Sequence, residues 1–131
     1  MQIDIDYLKM ILDKFVESET QYIETSIFHK IMEDEKFLFH WDILLDKRII
    51  VNLQGNLGNF YSRTNNNNNN IIIIIFNYIN VRLNDNGYNF YEVLKDNKFR
   101  NKIKKDFKNI SIETLGLVAK KFLDNKIDKF L

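Results

Sequence analysis

Apolar residues recur at helical spacing in the first block of the chain, DIDYLKMILDKFVES, where Leu8, Ile11, Leu12 and Phe15 stand at i, i+3, i+4 and i+7. The stripe predicts an amphipathic helix, with Asp6 placed to cap it by accepting from the amides of its first turn. A second helical block is expected from about residue 21 to residue 32, with Ile23, Ile27, Phe28 and Ile31 on one side and EDEK as an acidic break after it. A third block, KFLFHWDILLDKRIIV, sets Phe37, His40, Trp41, Leu44 and Leu45 at helical spacing. It changes character at Arg48, because IIVNL reads as strand.

The centre of the chain, RTNNNNNNIIIIIFNYINVRLNDNG, puts six asparagines beside five isoleucines. Gly55, Gly58 and the amide run supply turn chemistry after a strand at 49–53, since asparagine tolerates left-handed backbone angles and bonds its own backbone. Ile71 to Leu83 is too rich in Ile and Asn to prefer helix. Together they predict an antiparallel hairpin with a long, mobile tip, the alternative being disorder over residues 64–70. Asn84 then caps a fourth helix with Phe90, Val93 and Leu94 inward. A fifth, NKFRNKIKKDFKN, spaces Phe99, Ile103 and Phe107 four apart. Ser111 caps the last, whose Ile112, Leu115, Ala119, Phe122, Ile127 and Phe130 form one long face.

These elements amount to an α+β, mostly α, chain in the order helix, helix, helix, strand, long turn, strand, helix, which is the order of a winged helix-turn-helix domain. The expected organisation is a winged-helix core over residues 1–95 and a helical C-terminal extension, 96–131, packed on it. A length of 131 residues suits one such domain. The chain resembles a family of uncharacterised phage- and prophage-associated bacterial proteins with a winged-helix core and a short helical tail. The segments that carry the likeness are IDYLKMIL, FHWDILLDKRII, VRLNDNGYNF and KIKKDFKNISIETLGLVAKKFL. The family's third-helix pattern is met by His40, Leu44 and Ile49, but Lys47 and Arg48 stand where a small residue and glycine are usual. After the wing, Leu83, Asn84 and Gly87 match a Leu-Thr-x-x-Gly motif, with Asn keeping the capping role of Thr. The resemblance implies a fold and no catalytic residue.

Charge changes this picture more than composition does. The net charge is +1, yet residues 1–35 hold three lysines against nine carboxylates, and 36–131 hold sixteen basic against nine acidic residues. Such asymmetry suggests an anionic partner for the second part, or simply attraction between two faces of one fold. The chain has no cysteine and no proline. A disulfide framework is therefore excluded, and a reducing compartment is the simplest home. The stretch MQIDIDYLKM carries Asp4 and Asp6 where a secretory leader needs basic charge, and the apolar run Ile71–Phe76 is far short of the roughly 20 residues that cross a bilayer. A cytoplasmic protein without membrane contact is expected.

Catalysis needs a convergent set of groups, and none is visible. His29 and His40 are not spaced as metal ligands, no phosphate loop occurs, and GNLGN reads as turn. A non-enzymatic protein with no cofactor or metal is expected, and His40 reads as a partly buried core histidine. The fold invites DNA binding, for which the candidate contacts are Lys36, Lys47, Arg48 and Arg63, with Lys98, Arg100, Lys102 and Lys105 as backbone support. These last four belong to a run of net +5 over residues 95–108 whose other reading is a solvated helix face. Asp42 and Asp46 make the third helix a poor reader of phosphate-lined grooves. The rival expectation is a protein-interaction module, such as an inhibitor of a host or defence protein. Isoleucines on both faces of Ile71–Ile79 and an apolar terminal helix favour a homodimer through those two elements.

Overall fold

The computed structural model describes residues 1–66 and 68–131. It is an α+β fold, about half helical, with five α-helices and small antiparallel sheets among the described residues. Helix α1 (Ile5–Val16) forms from the expected stripe and buries Ile5, Leu8, Ile11, Leu12 and Phe15. Its cap is Asp4 rather than Asp6: the Asp4 carboxylate accepts from Tyr7 N at 3.1 Å, and Asp6 falls inside the first turn.

The helix expected over residues 21–32 does not form. Ile23–Glu24 is a short strand, β1, followed by a 3₁₀ turn at Thr25–Phe28. Thr25 explains the difference. It is fully buried, its amide donates to Ile79 O at 2.9 Å, and its Oγ1 accepts from Ile79 N at 3.0 Å. Thr25 is thereby bonded to both backbone groups of Ile79, whereas in a continuous helix its amide would be committed to the carbonyl of residue 21. Two α-helices, not three, precede the strand at Ile50–Asn52 as a result, with β1 between them.

Helix α2 (Glu35–Asp46) buries seven of its twelve residues: Phe37, Leu38, His40, Trp41, Ile43, Leu44 and Leu45. After it, β2 (Ile50–Asn52) pairs antiparallel with β5 (Asn80–Leu83), which also pairs with β1, giving the order β1-β5-β2. The long connection between β2 and β5 is not a simple tip. It folds into a second sheet, β3 (Tyr61–Asn66) with β4 (Ile71–Phe76), in register from Tyr61↔Phe76 to Asn66↔Ile71. Ile71–Leu83 is thus two strands in two sheets, broken at 77–79. Of the asparagine tract, Asn65 and Asn66 end β3 and residues 68–70 form the turn, with Asn70 in the left-handed region at φ 54°. Asn67 lies outside the described residues.

Helices α3 (Asp85–Leu94), α4 (Asn97–Asp106) and α5 (Ile112–Phe130) complete the chain, with Asn84, Asp96 and Ser111 as their caps. Gly87 has a steric reason. A Cβ there would stand 3.0 Å from Ile49 O and 3.1 Å from Leu83 Cβ, so the first turn of α3 meets the β2–β5 sheet only with glycine. Val93 and Leu94 are buried, whereas Phe90 is only half-buried. The apolar face of α5 is covered at Leu115 and Ala119 and left in solvent at Ile127 and Phe130.

His40 joins α2 to the entry of α1. Its Nε2 accepts from Asp4 N at 2.8 Å, and its Nδ1 lies 2.7 Å from Lys36 O, so the fitting tautomer carries its proton on Nδ1. Burial lowers its pKa below the ordinary 6.5, against a smaller opposing effect of the Lys36 carbonyl. The unfolded chain takes up this proton first as pH falls. The contribution of His40 is therefore present above about pH 6.5 and is lost as pH drops toward its depressed folded value. Urea unfolding at about pH 7.5 and about pH 5.5 should show a loss of stability at the lower pH in the wild type. In His40→Gln, less stable at the outset, that pH-dependent loss should be smaller.

Candidate nucleic-acid interface

The eight basic residues singled out from the sequence fall in three places. Lys36, in the first turn of α2, has Nζ 2.8 Å from Asp4 Oδ2 and 5.0 Å from the centre of the Tyr7 ring. Burial works against ionisation of Asp4, but Lys36 and the Tyr7 amide outweigh it and hold the carboxyl below its usual range. Arg63, on β3, reaches the middle of the same helix, with Nη1 3.1 Å from Asp42 Oδ2. Its guanidinium also lies 5.1 Å from the Tyr61 ring centre. The Tyr61 hydroxyl donates to the other oxygen of Asp42, and burial followed by this bond pushes the phenol well above its ordinary pKa. Both cations therefore face carboxylates of their own chain.

Lys47 and Arg48 lie at the far end of α2, both exposed. The helix stops there in a Schellman arrangement, with Ile49 N donating to Leu44 O at 3.3 Å and Arg48 N to Leu45 O at 2.9 Å. That places Arg48 at φ 56°, a position glycine fills at no steric cost. Asn84 Nδ2 donates to the Arg48 carbonyl at 2.6 Å and ties the strained turn to the start of α3. The ridge that α2 turns outward between these two ends is Glu35, Phe39, Asp42 and Asp46. Three of its four residues are carboxylates; Asp42 is paired with Arg63, which leaves Glu35 and Asp46, without an ion-pair partner among the described residues, to repel phosphate.

The third place is α4. Arg100 is its least exposed cation at 14%, held by Asp6 at 3.2 Å, by Leu94 O at 2.6 Å and by Asn97. Lys104 also pairs with Asp6. Lys98, Lys102 and Lys105 share the opposite, exposed face at i, i+4 and i+7, with Asn101 between them. Among the described residues, Lys98 and Lys105 have no ion-pair partner, and Lys102 has a distant one in Asp106 at 3.8 Å. The stripe runs about 10 Å along the helix.

Sequence reasoning found the basic run but could not sort it. The sorting comes from Asp6, which takes Arg100 and Lys104 across 94 and 98 positions of chain. Asp42 is the other residue missed as a partner, because its contacts on β3 depend on a strand pairing that the Asn-rich sequence does not announce. Tyr91 similarly joins α3 to α1 by donating to Asp13 at 2.7 Å, and burial with that bond pushes its phenol up to about 12. Among the described residues, no three His, Asp or Glu side chains converge as metal ligands, and no helix is long and apolar enough to cross a membrane. No protein-family model, curated protein or solved structure matches the chain.

The left-handed Arg48 makes a direct prediction. Arg48→Gly should stabilise the protein by about 1 kcal/mol, the steric cost of that backbone region for a side chain. This corresponds to a rise of roughly 3–5 °C in melting temperature by calorimetry. A fall would mean that the Arg48 side chain contributes more to stability than its backbone strain removes.

Proposed function

We propose that the chain is a non-enzymatic, winged-helix-type binding protein that contacts a nucleic-acid backbone through the exposed face of α4. Support for the winged-helix part is the order α1, β1, α2, β2, β5, with β5 returning between β1 and β2. The second helix of that pattern is replaced by the 3₁₀ turn, and β3–β4 is added between the wing strands. The observation that carries the binding surface is the contrast between two helices. Lys98, Lys102 and Lys105 form an outward basic stripe with little internal neutralisation, whereas α2 turns outward Glu35 and Asp46, unpaired among the described residues, beside an Asp42 already taken by Arg63. Helix α2 in a major groove would set carboxylates against phosphate, so contact along the backbone by α4 is favoured.

Titration of a random-sequence duplex over a range of salt tests this. Each neutralised phosphate adds about 0.9 to the slope of log K against log salt, so the triple Lys98→Ala, Lys102→Ala, Lys105→Ala variant should lose between about 2 and 3 of that slope. Lys36→Ala and Arg63→Ala, whose charges already face Asp4 and Asp42, should leave it unchanged. Abolition of binding by Lys47→Glu with Arg48→Glu, while the α4 variant still binds, would return the interface to the end of α2.

A second reading, a protein-interaction module, is favoured by the β3–β4 hairpin. Ile71, Ile72, Ile73 and Ile75 are each about half exposed or more, on both faces of a two-stranded sheet whose outer edges carry no further strand among the described residues. Such an edge accepts an additional strand from a protein partner. Under this reading Ile73→Lys abolishes partner binding in a pull-down and leaves the salt slope for DNA intact.

A further inference from the structure

Helices α3 and α5 flank a groove of about 980 Å³ whose apolar floor includes Phe90 and Leu123. The α5 side of it presents Leu117, Lys120, Asp124 and Ile127, spaced three, four and three apart and therefore on one helical face. Leu117 is 70% exposed and Ile127 48%. Neither Lys120 nor Asp124 has an ion-pair partner among the described residues. A lysine four residues before an aspartate is also the weaker orientation for a pair within one helix. The face thus carries two exposed apolar groups at its ends and, between them, two opposite charges without an ion-pair partner among the described residues.

We propose that this groove is filled by a second copy of the chain, with the two α5 helices packed antiparallel about a two-fold axis opposite residue 122. In that register Leu117 of one copy meets Ile127 of the other, and Lys120 meets Asp124, at both ends of the axis. The face is self-complementary in apolarity and in charge. A parallel arrangement would set Lys120 against Lys120 and Asp124 against Asp124, which selects the antiparallel one. The same register brings Asp128 of the second copy opposite Gly116. A Cβ on Gly116 would lie 2.9 Å from Lys47 Nζ, so the ammonium already rests against that bare backbone and is placed to receive the incoming carboxylate. Lys47 is then an interface residue, independent of whether nucleic acid is bound.

Sedimentation equilibrium of the full chain tests the arrangement. The wild type should be a dimer. Lys120→Glu alone and Asp124→Lys alone each set like charges at both crossing points and should weaken dimerisation more than about tenfold. An equimolar mixture of the two variants restores opposite charges at both points and should return to dimers near wild-type affinity. Recovery in the mixture cannot come from a pair within one helix. Leu117→Lys, at a position too exposed to threaten the fold, should also be monomeric. A monomeric wild type, dimers that persist in any single variant, or a mixture that stays monomeric would each overturn the proposal. Dimers that resist all three changes but dissociate with Ile73→Lys would place self-association on the β3–β4 hairpin instead.

Discussion

The packing around Trp41 is the constraint on which the rest of the structure depends. The indole stacks on Phe37 at 5.6 Å and meets the edges of Phe28 at 5.6 Å and Phe60 at 5.1 Å. Phe60 continues the contact to Phe76 at 5.6 Å, and so to the base of the β3–β4 hairpin. One side chain thereby joins α2, the 3₁₀ turn and the segment that leads into the second sheet. Truncation of such a residue costs about 3–5 kcal/mol, a large share of what a domain of this size has. The indole Nε1–H is buried without a hydrogen-bond partner among the described residues, so its place is held by ring packing rather than by polar contact.

That core has a functional consequence. A helix that buries seven of its twelve residues has its rotation fixed, and only the narrow ridge left over can face a ligand. Tyr61 and Arg63, brought to Asp42 by the hairpin, then occupy part of that ridge from outside. Helix α2 is thus committed inward to the core and outward to the hairpin. The neighbouring cations tell the same story from the other side. The acidic first segment engages its basic counterpart within the fold, as Asp4 with Lys36 and Asp6 with Arg100 and Lys104. The charge asymmetry along the chain is therefore partly an internal fit, and the surplus remains on the outer face of α4.

How much of this could be read from sequence follows from how local each signal is. The periodic stripes of α1 and α2 and the caps Asn84 and Ser111 are decided within four or five residues of chain, and they form where expected. His40 likewise lies in the core. The segment at 21–32 has a helical pattern that loses to a contact 54 positions away, between Thr25 and Ile79. The hairpin was misread for a related reason. Asparagine is a poor strand residue, so Asn65 and Asn66 read as turn, yet in register they pair with Ile72 and Ile71, whose β preference carries both strands. The basic run on α4 was legible as a run, with Phe99 and Ile103 on its inner face. Which of its cations are neutralised was not, because Asp6 sits at the other end of the chain.

The hairpin also shows why local preference and global position can conflict without unfolding the protein. A two-stranded ribbon with isoleucines on both faces has little stability alone. It is moored instead at its base. Asn77 N donates to Phe60 O at 2.7 Å, the Tyr61 and Phe76 rings lie 5.9 Å apart, and Asp42 receives both Tyr61 and Arg63 from α2. Thr25 then clamps Ile79 on the way into β5. Every one of these contacts lies at the sheet end of the hairpin, and none supports its outer half. The exposed isoleucines at Ile71–Ile73 pair within the ribbon and lie outside this mooring. Their cost in water is borne by the mooring, and what they add is an apolar, edge-exposed surface.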